Sequence, residues 1–335
     1  MEKVRLGKTN LYVSRIGMGG IPIQRDDKDN AYNVVRCAYI NGINFFDTAK
    51  AYTVSEAYLG DAFKKLKVEF ANFRENIIIA SKSMSLTYDD MMRDVLDSIN
   101  KMDCSYIDLY QLHNLQPGKD YSGAKKALVE AKEKGLIRHI GVTSHNMDYL
   151  SELINEAIFE TIQYPFNIVE RQGEELFKKA NKLDIGCIGM KPLAGGAIDD
   201  GAIAIKYIVN KDFLVVPIPG KGSVEEVLNN VKAVGKIITS SDLEKIKEYQ
   251  ATLDGDFCRR CGYCKPCTKG IDIPFVFLCE GYYKRYNLKE WAIERYNTIK
   301  VKASECIECG MCELRCPYKL PIIKKLKEAI KVLEE

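Results

Sequence analysis

The sequence predicts an α/β chain in two parts: a (β/α)8 TIM barrel with an N-terminal hairpin, then a small, mostly helical C-terminal domain rich in cysteine. Three observations predict it. From Gly17 to about Val234, short apolar runs ending in polar or glycine residues alternate with longer amphipathic stretches. Before them, VRLGKTNLYVSRI reads as two short strands turning at residues 7–10. After them, eight of the twelve cysteines fall into two tight runs, CRRCGYCKPC and CIECGMCELRCP.

Strands are expected at 16–18, 44–46, 77–80, 108–112, 139–142, 161–164, 185–190 and 214–216. Helices are expected between them, at 29–41, 55–70, 87–101, 121–134, 147–156 and 174–182. Eight strand–helix units argue for a closed parallel barrel over an open doubly wound sheet. The hairpin is expected to plug its bottom. After Val234 a charged amphipathic helix at 241–253 leads to the turn signal Asp254–Gly255. Placing the boundary there gives a barrel domain at 1–254 and a second domain at 255–335. The middle of that second domain, rich in Tyr and holding Trp291, reads as helical, and PIIKKLKEAIKVLEE reads as a terminal amphipathic helix.

With 335 residues and 46% hydrophobic content, the chain can bury a large core. Its net charge of +3 gives no basic patch of the kind that binds nucleic acid. No apolar run reaches the roughly 18 residues needed to span a membrane. No signal segment opens the chain, so it reads as cytoplasmic, with reduced thiols.

The second cysteine run, Cys306, Cys309, Cys312 and Cys316 followed by Pro317, fits C-x2-C-x2-C-x3-C-P. In that pattern three close thiolates hold one [4Fe–4S] cluster and the fourth reaches across to another. The first run, Cys258, Cys261, Cys264 and Cys267, has two residues before its last cysteine, and Thr268 stands where proline is expected. Crossing is therefore signalled strongly for Cys316 and weakly for Cys267. Disulfides would suit a small secreted domain. Two zinc sites remain the competing metal reading, although zinc usually takes two CxxC pairs separated by a loop. Cys37, Cys104, Cys187 and Cys279 lie in apolar surroundings and read as buried core thiols, with Cys279 also a candidate substitute ligand.

In such a barrel, chemistry sits where strands end. The second strand ends in FFDTAKAY, giving Asp47 and Tyr52; the third ends in IIIASKS, giving Lys82; the fourth ends in LYQLHN, giving His113. Reducing a carbonyl with hydride needs a proton donor at the developing oxyanion, and tyrosine is a poor acid near pH 7 unless tuned. A neighbouring ammonium stabilises its phenolate, and a carboxylate keeps that ammonium charged. Tyr52 is thus expected as acid/base, Lys82 as its tuner, Asp47 as the holder of Lys82 and His113 as the group orienting the substrate oxygen.

Residues 1–235 resemble the aldo-keto reductase family, carrying its Asp-Tyr-Lys-His tetrad with the usual five-residue step from Asp47 to Tyr52. LGKTNLYVSRIGMGG, GVTSHN, QYPFN, KPLAGG and IPGKGSVEEVLNN extend the likeness, and the cysteine-rich tail resembles the iron–sulfur branch of that family. The resemblance implies a nicotinamide, NAD(H) or NADP(H), across the barrel mouth. Thr143, Ser144 and Gln163 match the residues that hold its carboxamide, and Met190 stands where an aromatic commonly covers its ring. Gly220, Lys221, Ser223, Glu226 and Asn230 match the stretch that holds phosphate and adenosine. The family often has Asn at the position of Ser144. Glu226 stands where many members carry an arginine for the 2′-phosphate, so NADH is expected to compete well, with Lys221 a compensating cation for NADPH. His145 lies beside the cofactor loop, and His139, inside a strand, reads as structural.

The function expected is hydride transfer between a nicotinamide and a small carbonyl or alcohol, with two [4Fe–4S] clusters for electron transfer or coupling to a redox protein partner. The alternative is an electron carrier or partner-binding protein on a catalytically silent barrel. The short substrate loops, such as NLQPGKDYSG, name no substrate.

Overall fold

The computed structural model describes residues 1–25, 27–214, 216–253 and 257–335. The predicted turn at Asp254–Gly255 and the central residue of the predicted strand 214–216 lie outside the described residues. The chain divides into two compact units, one of Met1–Pro192 with Asp200–Thr239, the other of Leu193–Asp199 with Ser240–Glu335.

The first unit opens with a hairpin of β1 (Lys3–Arg5) and β2 (Tyr12–Ser14), antiparallel with Val4 opposite Val13. Eight strands follow: β3 (Met18–Gly19), β4 (Phe45–Asp47), β5 (Ile78–Ser83), β6 (Ile107–Leu112), β7 (Ile137–Thr143), β8 (Thr161–Pro165), β9 (Gly186–Met190) and β10 (Val216–Ile218). Each pairs in parallel with the next. The Gly17 and Gly19 amides donate to Pro217 O and Pro219 O, each at 2.9 Å, and Gly19 bridges to Gly220. First and last strands are thereby joined.

Helices alternate with the strands, among them Lys28–Ile40, Ser55–Glu69, Tyr88–Lys101, Ser122–Glu133, Met147–Leu153 and Glu174–Lys182, close to the predicted spans. Side chains of Asp27, Thr87, Asn146, Asp200 and Ser223 accept from amides of the first turn and so fix where helices begin. Gly201–Val209, which the amphipathic pattern did not single out, buries Ile203, Ala204, Ile205, Tyr207 and Ile208. A helix apolar nearly all round shows no polar stripe to read.

Strand register builds the interior in layers. Side chains two apart share a face, and Phe45 lies opposite Ile78, Ala80 opposite Leu109, and Lys82 opposite Gln111. Phe45, Ile78, Ala80, Leu109, Ile188, Val216 and Ile218 form one buried cluster with Leu6 and Val13 of the hairpin. The hairpin therefore plugs the barrel. Two residues further along the same inward faces come Asp47, Lys82 and Gln111, a polar layer above an apolar floor.

The second unit holds helices Ser240–Leu253, Ile273–Arg285, Lys289–Asn297 and Ile322–Leu333, with a four-residue turn at Met311–Leu314. Val276, Phe277, Cys279, Ala292, Tyr296, Leu326 and Ala329 form its core. Tyr296, fully buried, accepts the Ala303 amide at 2.7 Å through its hydroxyl. Cys37, Cys187 and Cys279 are buried, as expected for core thiols. Cys104 is not: it is half-buried, its Sγ 3.7 Å from Ile99 O in the turn after a helix rather than under it. Among the described residues no helix is long and apolar enough to cross a membrane.

The hairpin seats through Gly7, whose φ of 52° favours glycine and whose Cβ, if present, would lie 2.4 Å from Gly186 N. Gly7→Ala should therefore destabilise the fold by roughly 2 kcal/mol or more, read as a lower urea midpoint. An unchanged midpoint would show that the plug seats some other way.

Candidate active site and thiol cavities

Parallel pairing continues past the end of β4, with Thr48 N donating to Ala80 O and Lys50 N to Lys82 O, each at 2.9 Å. This extension carries the loop bearing Tyr52 over the end of β5. Lys82 and Asp47 are 1% and 2% exposed. Lys82 Nζ donates to Asp47 Oδ1 and to Thr48 O, both at 2.6 Å. Burial raises the Asp47 carboxyl and lowers the Lys82 ammonium, and each partner offsets part of that penalty for the other. The neighbouring Gln163 and Gln111 also act to lower the carboxyl, and Asp47 Oδ2 is buried without a hydrogen-bond partner among the described residues.

Tyr52 is half-buried, its ring centroid 5.3 Å from Lys82 Nζ. The His113 ring meets it edge-on, centroids 5.6 Å apart at 86°. His113 N donates to Ser83 O at 2.8 Å, which extends the β5–β6 pairing. Burial first, then the charges of Lys82 and Lys191, hold the imidazole down to about 3, and its Nδ1 is buried without a hydrogen-bond partner among the described residues. The four residues named from three strand ends are thus one cluster.

Two neighbours were not anticipated. Gln111 lies on the inward face of β6 and donates to Gln163 Oε1 at 3.0 Å. Lys191, just past β9, has a left-handed φ of 56° and places Nζ 3.0 Å from His145 Nε2. A basic residue immediately after a strand end, in KPLAGG, was the available signal. His139 instead contacts Glu160 Oε1 at 2.8 Å through Nδ1.

The residues matched to a nicotinamide fall at adjoining strand ends, Thr143 opposite Gln163 and Met190 opposite Pro165. Thr143 Oγ1 accepts the Asn114 amide at 2.7 Å. Ser144 is taken up by its own loop, its hydroxyl donating to Leu115 O at 2.8 Å and accepting from Asn146 N at 3.0 Å. Lys221 is fully buried and donates to Gly17 O at 3.3 Å, and burial pushes its ammonium down to about 7. Ser223 caps the helix Val224–Ala233, on which Asn230 is buried. Glu226 Oε2 accepts the Gly222 amide at 2.7 Å, beside Gly220. Thr143, Gln163 and Met190 thus stand near one another at neighbouring strand ends. Glu226 occupies an amide at the helix start that a phosphate would otherwise meet.

In the second unit, Cys258, Cys261 and Cys264 line one cavity with Cys316. Cys306, Cys309 and Cys312 line another with Cys267. Both final cysteines cross, including the one whose spacing gave the weaker signal. Cys279 lines neither cavity; it is buried in the core of the unit. Among the described residues no three or more His, Cys, Asp or Glu side chains are grouped as ligands of a single metal ion.

A parallel barrel with its polar residues at the carboxyl ends of its strands defines a class of enzymes rather than one activity. Residues 15–202 match the aldo/keto reductase family, and residues 257–321 match the 4Fe-4S dicluster domain. The chain belongs to the aldo/keto reductase family, as an oxidoreductase-type barrel followed by a 4Fe-4S dicluster domain. It is 26% identical over 275 residues to an uncharacterized oxidoreductase of Schizosaccharomyces pombe, covering 71% of this chain and 87% of that one. It is 25% identical over 307 residues to L-galactose dehydrogenase of Arabidopsis thaliana, covering 76% and 95%. An aldo-keto reductase from Bacillus halodurans in its holo form shares the fold, with a TM-score of 0.66 at 23% identity, covering 74% of this chain and 96% of that one.

A histidine held at about 3 stays neutral from pH 5 to 9, because lowering the pKa removes its proton before physiological pH is reached. NMR of the three histidines should show the His113 ring unprotonated across that range. Titration near its ordinary value of about 6.5 would mean that the ring is not buried against Lys82.

Proposed function

We propose that the protein transfers hydride between NAD(H) or NADP(H) and a small carbonyl or alcohol, and that its C-terminal part carries two [4Fe–4S] clusters serving electron transfer or a redox protein partner. The observation that carries this reading is the buried Lys82–Asp47 pair lying under the Tyr52 ring with His113 against its edge. When bound, the nicotinamide supplies the hydride and the clusters supply electrons one at a time. In the reducing direction the Tyr52 hydroxyl gives its proton to the carbonyl oxygen as that oxygen gains charge, and the Lys82 ammonium stabilises the phenolate left behind. Asp47 keeps the ammonium charged and in place. His113, as a neutral imidazole, can donate one N–H to the same oxygen and fix its direction. The oxidative direction runs these proton steps in reverse.

Thr143, Gln163 and Met190 would hold the nicotinamide, with Gly220, Lys221, Ser223, Glu226 and Asn230 along the phosphate and adenosine. The Glu226 carboxylate repels a 2′-phosphate, which favours NADH as a competitor. The eight cysteines would hold the clusters, and a reducing cytoplasmic setting keeps such thiols available. The engagement of Ser144 and Glu226 within their own loops favours the second reading, an electron carrier on a silent barrel.

Anaerobically purified protein should carry about eight irons per chain and reduce members of a broad carbonyl panel with NADH or NADPH. Tyr52→Phe should lower kcat/KM by roughly 10²–10⁴ while iron content and nucleotide binding hold. Wild-type inactivity across the panel would support the silent barrel. Undiminished turnover by the variant would remove Tyr52 from the acid/base role.

A further inference from the structure

The two four-thiol cavities differ in what faces the sulfurs. The cavity of Cys258, Cys261, Cys264 and Cys316 is also lined by Arg259, Arg260 and Tyr318. Arg259 is 4% exposed, lies 4.0 Å from the centroid of the Tyr318 ring, and donates through Nη1 to Phe257 O at 3.4 Å. Arg260 is half-buried, held by a left-handed backbone with φ of 57°. Its Nε and Nη2 are buried without a hydrogen-bond partner among the described residues. Buried N–H groups are unfavourable when left unpaired, so acceptors belong beside them. The sulfurs of a cluster held by the flanking thiolates are such acceptors.

Among the described residues no arginine lines the second cavity. Thr268 Oγ1 lies 3.4 Å from Cys309 Sγ, and Cys309 is exposed. The cations near it, Lys269 and Arg315, are exposed too, where water and salt weaken their field. Ile307 and Met311 line this cavity and reach solvent.

We propose that Arg260, with Arg259 beside it, hydrogen-bonds the cluster of Cys258, Cys261, Cys264 and Cys316 and raises its reduction potential above that of the other cluster. The inference rests on the two-cluster reading. Reduction adds one electron to a cluster that its four thiolates already make anionic, and a guanidinium stabilises the more negative form. Burial alone opposes the added charge. A full positive charge within hydrogen-bonding reach, in the same low-dielectric surroundings, outweighs that opposition. An electron taken up at the exposed second cluster then comes to rest on the first, so the pair has a direction.

An EPR-monitored anaerobic titration of the full chain with dithionite tests this, with iron and sulfide counted on the same sample. Wild type should show two separate one-electron midpoints. Arg260→Gln should lower the upper midpoint and leave the lower one in place. Thr268→Ala, which removes the hydroxyl at Cys309, should lower only the lower one. Arg260→Lys keeps the charge but not the guanidinium fork and should lower the upper midpoint by less, which serves if the Gln variant loads poorly. A single unsplit midpoint in wild type, or an Arg260 effect confined to the lower midpoint, would overturn the assignment. Iron well below about eight per chain would instead overturn the two-cluster reading, and this inference with it.

Discussion

The buried ammonium of Lys82 is the constraint around which the polar layer at the barrel mouth is arranged. It sits 1% exposed above an apolar floor of Phe45, Ile78, Ala80 and Leu109, where an unpaired charge would cost several kcal/mol. Asp47 at 2.6 Å and the Thr48 carbonyl at the same distance make it tolerable. A pair of well-packed apolar residues would serve stability as well or better. On the proposed function, the buried cation is kept beside Tyr52 and His113 for its chemistry. The same charge adds to burial, together with Lys191, in holding the His113 imidazole down to about 3.

The second unit rests on a different constraint. Its core is modest, and Cys264 and Cys312 are part of it. Each cysteine run gives three thiols to one cavity and one to the other, so filling either cavity would tie the two runs together. Metal binding of this kind contributes directly to folding, because the unfolded chain has no preformed site. Thr268 lies beside Cys309, and Arg259 and Arg260 line the cavity of Cys258, so groups around the thiols are placed where they would act on whatever the thiols hold.

Much of this was legible in the sequence, for identifiable reasons. The barrel strands showed because short apolar runs alternate with amphipathic helices whose caps, such as Asp27 and Thr87, are local signals. The tetrad showed because its members stand at strand ends, where barrel geometry gathers side chains from distant positions. Gln111 did not show: its placement depends on the register between β5 and β6, and strand-interior glutamine carries no local signal. The inward turn of Lys221 and the capture of the Gly222 amide by Glu226 were also hidden, since both are choices made by side chains after the loop has formed. The crossing of Cys267 needed three dimensions because its spacing departs from the pattern that signals it for Cys316.

On the proposed function, hydride transfer moves two electrons as a pair and each cluster accepts one, so the two parts of the chain would handle electrons in different numbers. Whether the proposed reduction proceeds by a pair or singly can be measured directly. The test is reduction of an aldehyde in ordinary water by NADH or NADPH deuterated at both C4 positions, followed by mass spectrometry of the alcohol. Deuterium on the carbinol carbon is the result that a Tyr52-assisted hydride transfer predicts. A carbinol carbon carrying hydrogen from water would contradict it, because electrons delivered singly are joined by protons from solvent.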